Sequence, residues 1–182
     1  ITRVAGALGA EIGDVDLSDN LNDDTIADIR RALLDHKVIF FRDQNITPVQ
    51  HLAFAKRFGE VVEYPMVKGL EEAPEIVPVV KLAHETINFG GMWHSDTSYL
   101  ECPPMGAILV ARDLPPCGGD TLFANMALAY EALSDGMKSL LDDLTGISSS
   151  AKAEVTKSRE DRMASAAKVE ENTELRAEHP VV

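Results

Sequence analysis

The stretch Trp93-His94-Ser95-Asp96 sets an imidazole and a carboxylate two residues apart. Side chains on a strand alternate between faces with period two, so His94 and Asp96 are expected on one face. Two such donors on one face can grip one metal ion. They are the sequence-local part of a two-histidine, one-carboxylate facial triad, a set that suits Fe(II) and leaves coordination positions open. The second histidine has to come from a distant strand. A His-x-Asp pair alone is weak, because such pairs arise by chance and more often serve surface or core polarity. Three neighbours strengthen it: Trp93 behind the glycine-rich approach Gly90-Gly91, the β-prone run Thr97-Ser98-Tyr99, and the turn-then-strand pattern Cys117-Gly118-Gly119-Asp120-Thr121-Leu122-Phe123.

Around this motif, from Glu60 to Asn125, short β-prone runs alternate with Pro and Gly. Glu75–Val80, Gly106–Ala111 and Thr121–Phe123 read as strands, the texture of a barrel or jelly-roll core. Upstream, Asn22–His36 reads as a helix capped by Asn22, with Asp23 and Asp24 at its positive end and an apolar stripe of Ile26, Ile29, Leu33 and Leu34. Lys37–Phe41 follows as a short buried strand. Thr47-Pro48-Val49-Gln50 is a capping box with proline at the first helical position. It predicts a helix to about Phe58, with a left-handed cap at Gly59. Downstream, Met126–Leu133 and Ser134–Leu144 read as two short helices. Residues 151–178 read as a polar, partly helical insert, either a lid or an exposed helix with no role.

With 182 residues the chain is one domain, large enough to bury a core. No run approaches the roughly 18 apolar residues of a membrane span, and Ile1–Gly6 holds no apolar leader region. Thirty acidic against 17 basic residues, a net charge of -13, argue against nucleic acid, which calls for clustered Lys and Arg. We expect a cytoplasmic protein that binds neither nucleic acid nor membrane and forms a homo-oligomer. Cys102 and Cys117 make no C-x-x-C pair and fit a reducing compartment.

A wider set of matches carries a family resemblance. Gly9-Ala10-Glu11-Ile12, Val15-Asp16-Leu17, Val38–Gln44, Phe54–Gly59, Trp93–Asp96, Gly118–Thr121, Ala129–Ser134 and Glu178–Val182 occur in the order of one group. The chain resembles the taurine dioxygenase-like family of Fe(II)/2-oxoglutarate-dependent dioxygenases, which also contains phenoxyalkanoate dioxygenases. The resemblance implies an α+β fold, a double-stranded β-helix (jelly-roll) core with flanking helices, here expected to be incomplete at the C-terminus. It implies Fe(II) held by His94 and Asp96, with Thr121 hydrogen-bonded to a carboxylate of the co-substrate 2-oxoglutarate. It also implies hydroxylation of a small organic acid (a sulfonate, sulfate ester or aryloxyalkanoate) using O2, with release of succinate and CO2.

The family's distal histidine, and the arginine that pairs with 2-oxoglutarate, fall beyond the position matching Val182. The chain is therefore expected to be the N-terminal portion of a longer enzyme. His179 matches a stretch upstream of the distal ligand and reads as structural. His36, His51 and His84 are not expected as ligands. Where taurine-specific members carry a His and a Tyr, Val61–Val67 has Tyr64 but no His, which argues against taurine. Tyr64, Phe89 and Asn88 are the candidate substrate-pocket residues, with Met66 more in keeping with core packing. Trp93 is expected either to help keep the cavity dry or to fill the core. Two other classes remain: a non-catalytic jelly-roll binding module lacking the third ligand, and a zinc hydrolase, for which no hydrolytic base is at hand.

Overall fold

Asn22 starts the first long helix as its side chain predicts. In the computed structural model, which describes residues 1–65, 67–82, 84, 90–152 and 174–182, Asn22 Oδ1 accepts the Thr25 N–H at 2.8 Å and helix α1 runs Asp23–His36. Met66, Asn88, Phe89 and residues 153–173 of the expected insert lie outside the described residues. The chain divides into two compact units, one made of residues 1–60 and 108–138, the other of 61–107 and 139–182.

In the first unit, β1 (Thr2–Arg3) pairs antiparallel with β2 (Ala10–Glu11), and β2 pairs parallel with β3 (Ile39–Phe40). Parallel neighbours need a crossover, and α1 supplies it. The expected strand Lys37–Phe41 thus narrows to two residues. Helix α1 buries Ile26, Ile29 and Ala32, whereas Leu34 is left exposed. At about 100° per residue, Leu34 falls about 140° round the helix from Ile29 and Ala32 only about 60°. The buried face joins Leu17, Ile46 and Phe54, and the Phe54 ring meets Phe41 and Phe58 edge-on at 6.1 and 5.1 Å.

Gln44 locks this unit. Its Oε1 accepts from Leu17 N at 2.8 Å, and its Nε2 donates to Val15 O at 3.0 Å and Arg42 O at 2.8 Å. Both halves of the Thr47–Gln50 capping box form at the start of α2 (Pro48–Ala55). The helix stops three residues before the expected Phe58. Its last turn tightens through Arg57 N–H to Phe54 O and Phe58 N–H to Ala55 O, both 3.0 Å, and Gly59 takes φ 155° instead of a left-handed cap. Helix α3 (Met126–Glu131) is capped by Asn125, and Ser134 Oγ accepts the Met137 N–H ahead of α4 (Asp135–Asp142).

Unit two holds β4 (Thr145–Ser149) and β5 (Arg176–Pro180), paired antiparallel with Gly146 opposite His179. Neither strand is evident from the sequence pattern, and β5 takes residues 176–178 out of the expected polar insert. Val181 N–H to Leu144 O and Ser150 N–H to Leu175 O extend the pairing at both ends.

The three runs read as jelly-roll strands, Glu75–Val80, Gly106–Ala111 and Thr121–Phe123, make no ladder among the described residues. Leu109 and Leu122 are 78% and 71% exposed. β-propensity reflects fit to a pleated, half-buried surface. Without a neighbouring strand to take the backbone N–H and C=O groups, apolar composition does not make a strand. Among the described residues no helix is long and apolar enough to cross a membrane. Both cysteines are free and exposed.

Candidate metal centre

His94 and Asp96 lie on no strand. Residues 93–95 are irregular and a turn begins at Asp96. The side chains nevertheless meet, with His94 Nε2 3.2 Å from Asp96 Oδ1. The pairing is made in irregular chain at the start of the turn, not on a strand face.

The imidazole is oriented from its other side. His94 Nδ1 is 2.6 Å from the Met92 carbonyl oxygen. A carbonyl only accepts, so Nδ1 carries the hydrogen, and in the neutral ring Nε2 is left with its lone pair. That lone pair faces the carboxylate oxygen of Asp96. Two acceptors at this separation repel unless a cation, proton or metal ion, sits against both. A nitrogen and a carboxylate oxygen, with the second ring N–H tied to a backbone carbonyl, are a donor set that fits a divalent metal ion. Among the described residues no group of three His, Cys, Asp or Glu converges to complete such a site.

Gly90 makes room for this histidine. It has φ 69°, and a Cβ there would lie 3.2 Å from His94 Cε1. The sequence signal for it was the glycine-rich approach Gly90-Gly91 ahead of the motif. Trp93 is 70% exposed, so it does not fill the core of this chain.

After Asp96 the backbone is strained. Thr97, a β-branched residue, has φ 49°, and its buried Oγ1 has no hydrogen-bond partner among the described residues. The turn closes through Leu100 N–H to Thr97 O at 2.9 Å. Tyr99 is buried at its centre. Burial pushes its phenol above its ordinary pKa, and neighbouring Tyr64 and the Asp96 charge push the same way. Tyr64 is the neighbour whose hydroxyl exerts this influence, and among the described residues Tyr99 Oη makes no hydrogen bond that meets full geometric criteria. The half-buried Tyr64 thus borders the surroundings of Asp96 through Tyr99.

Thr121 belongs to the other compact unit. It is exposed, just after Gly118 and Gly119 at φ 80° and 76°, the tight turn the sequence suggests. Asn88 and Phe89 lie outside the described residues. His179 Nε2 is committed to the carbonyl oxygens of Ser98 and Leu100, at 2.8 and 3.0 Å. His51 Nε2 lies 3.1 Å from Ile108 O, and burial, with help from the Arg112 charge and against that hydrogen bond, lowers its pKa. His36 sits in the last turn of α1.

Comparison with known proteins adds an independent finding. A family model described as "Taurine catabolism dioxygenase TauD, TfdA family" matches residues 1–182. The chain is 35% identical to an alpha-ketoglutarate-dependent sulfate ester dioxygenase from Pseudomonas putida over 98% of its own length and 60% of the relative's. It is 32% identical to an alkylsulfatase from Acinetobacter baylyi, over 100% of this chain and 58% of that protein. The chain therefore spans less than two thirds of the curated relatives it matches. A crystal structure of a taurine dioxygenase from Burkholderia xenovorans superposes with a TM-score of 0.69 at 37% identity, covering 80% of this chain and 51% of that one.

Proposed function

The chain belongs to the taurine catabolism dioxygenase TauD, TfdA family, and from that premise we propose that it is the metal-binding portion of an Fe(II)- and 2-oxoglutarate-dependent oxygenase. The substrate class is a small organic acid: a sulfonate, sulfate ester or aryloxyalkanoate. The complete fold is the double-stranded β-helix, in which the unpaired runs Gly106–Ala111 and Thr121–Phe123 would find strand partners. The protein works as a cytoplasmic homo-oligomer without nucleic-acid or membrane partners.

The observation that carries this reading is the 3.2 Å approach of His94 Nε2 to Asp96 Oδ1, with Nδ1 held by the Met92 carbonyl. His94 and Asp96 would hold Fe(II), with a third donor supplied by the part of the family's length that this chain does not span. Fe(II), when bound, supplies the oxygen chemistry that couples decarboxylation of 2-oxoglutarate to hydroxylation of a substrate C–H bond. The residues of this chain orient and exclude. Met92 O keeps the His94 ring in the tautomer that presents Nε2. The Thr121 hydroxyl donates to a carboxylate of 2-oxoglutarate, and Tyr64 borders the acid substrate, with Asn88 and Phe89 completing its pocket.

The test is succinate release by protein expressed from its complete reading frame, screened with sulfonates, sulfate esters and aryloxy acids. Release is expected to require Fe(II) and to vanish in His94→Ala and Asp96→Ala. Activity that survives both substitutions refutes the ligand assignment. An acid that binds without succinate release makes the protein a non-catalytic binding module. The 182-residue chain alone is expected to give no Fe(II)–2-oxoglutarate charge-transfer band.

A further inference from the structure

We propose that His179 is a positioning residue for the metal centre: its Nε2–H, shared between the carbonyl oxygens of Ser98 and Leu100, holds the turn that aims Asp96. The proposal rests on His94 and Asp96 being the metal ligands.

The side chains of His94 and Asp96 are 52% and 64% exposed. Packing therefore does little to orient them. His94 has its own restraint in the Met92 carbonyl, whereas Asp96 leads straight into the backbone of the following turn. That backbone starts with Thr97 in a left-handed conformation costly for a β-branched side chain, and such a conformation persists only where the surroundings over-determine it. Two restraints are visible: the buried ring of Tyr99 and the two bonds from His179.

Both acceptors are carbonyl oxygens, so Nε2 must carry the proton, and the neutral ring suffices. Ser98 and Leu100 flank Tyr99, so one donor fixes two successive carbonyls of the turn closed by Leu100 N–H to Thr97 O. The anchor itself is fixed. His179 stands on β5 opposite Gly146, two residues from the buried Ala177, and the strand is tied to β4 through its whole length and beyond by Val181 N–H to Leu144 O. Residues that orient metal ligands from behind typically cost 10–100-fold in metal affinity when removed.

The experiment uses the 182-residue chain, labelled with 15N and titrated with Mn(II) alone. Selective paramagnetic broadening of residues 94–97 reports metal at the site, and hydrogen exchange at the Leu100 amide reports the turn. His179→Leu is expected to raise the Mn(II) midpoint roughly tenfold or more and to speed exchange at Leu100 while exchange in β4 stays slow. His179→Gln, which keeps an N–H donor, should recover most of both. A wild-type midpoint in His179→Leu, with broadening abolished in Asp96→Ala, overturns the positioning role and leaves the metal site standing. No selective broadening in the wild-type chain, or broadening unchanged in both His94→Ala and Asp96→Ala, removes the site and the proposal with it. Loss of protection throughout β4 and β5 in both His179 variants makes the residue a general packing element and also overturns the proposal.

Discussion

Replacing Thr97 with glycine should stabilise this protein while weakening its metal centre. Thr97 holds φ 49°, and a left-handed conformation costs a residue with a Cβ about 1–2 kcal/mol. Its buried Oγ1 lacks a partner among the described residues, which adds about 1–3 kcal/mol of unrecovered desolvation. Glycine removes both costs. Against this, it gains unfolded-state entropy worth about 0.5–1 kcal/mol and gives up a half-buried side chain of comparable value. The net expectation is a gain of about 1–3 kcal/mol. Thr97→Val separates the two contributions: it drops the hydroxyl but keeps the β-branch and the backbone cost, so it should recover only the hydroxyl's share, about 1–3 kcal/mol. Urea denaturation followed by circular dichroism, with a common slope for all variants, gives the differences. The same Thr97→Gly chain should bind Mn(II) more weakly, because the turn beside Asp96 becomes free to relax. A Thr97→Gly protein no more stable than wild type, with Thr97→Val unchanged as well, would show that neither cost exists and would refute the strained-turn argument.

Gly90→Ala introduces a Cβ 3.2 Å from His94 Cε1 at φ 69°, so it should lower stability by about 1 kcal/mol and displace the His94 ring signals in 1H–15N spectra; unmoved ring signals would contradict the close approach. For His51, burial favours the neutral ring in the folded state, so its pKa lies below the ordinary 6.5. Its contribution to stability is complete above that value and is lost as the pH falls below it through the lowered folded-state value. His51→Gln, which keeps an N–H for Ile108 O, should flatten the wild-type stability profile across that window in urea melts; identical slopes would exclude the effect. Thr47→Ala removes one half of the α2 capping box and should cost about 1 kcal/mol in the same melts, whereas a loss below a few tenths would mean that Gln50 alone holds the helix start.

The legible parts of the fold were those set by neighbours in sequence. Asn22, Thr47, Gln50 and Ser134 announce helix starts because a cap is a bond between residues three apart. The strands were not legible. β1, β2 and β3 are two residues each and exist only through their pairing, locally for β1 with β2 and across the whole of α1 for β2 with β3, and nothing in Thr145–Ser149 or Arg176–Pro180 signals pairing with the other. Conversely, the strongly β-prone Gly106–Ala111 has no partner among the described residues and makes no strand. At the metal centre the ligand pair was evident, but the assumed strand geometry was not what brings it together. The Met92 carbonyl and the Thr97 conformation left no mark in residue type. The carbonyl is common to every residue, and a threonine gives no warning of a positive φ.

The hydrogen bond from His179 to Ser98 joins residues 81 apart in sequence. On a ribosome adding about 5–20 residues each second, that separation is roughly 4–16 s of synthesis. Throughout that interval the nascent chain displays its Trp-His-Ser-Asp quartet with no clasp to set it. Ordering of the ligand pair is then a late event in biogenesis, delayed until β5 leaves the exit tunnel and docks.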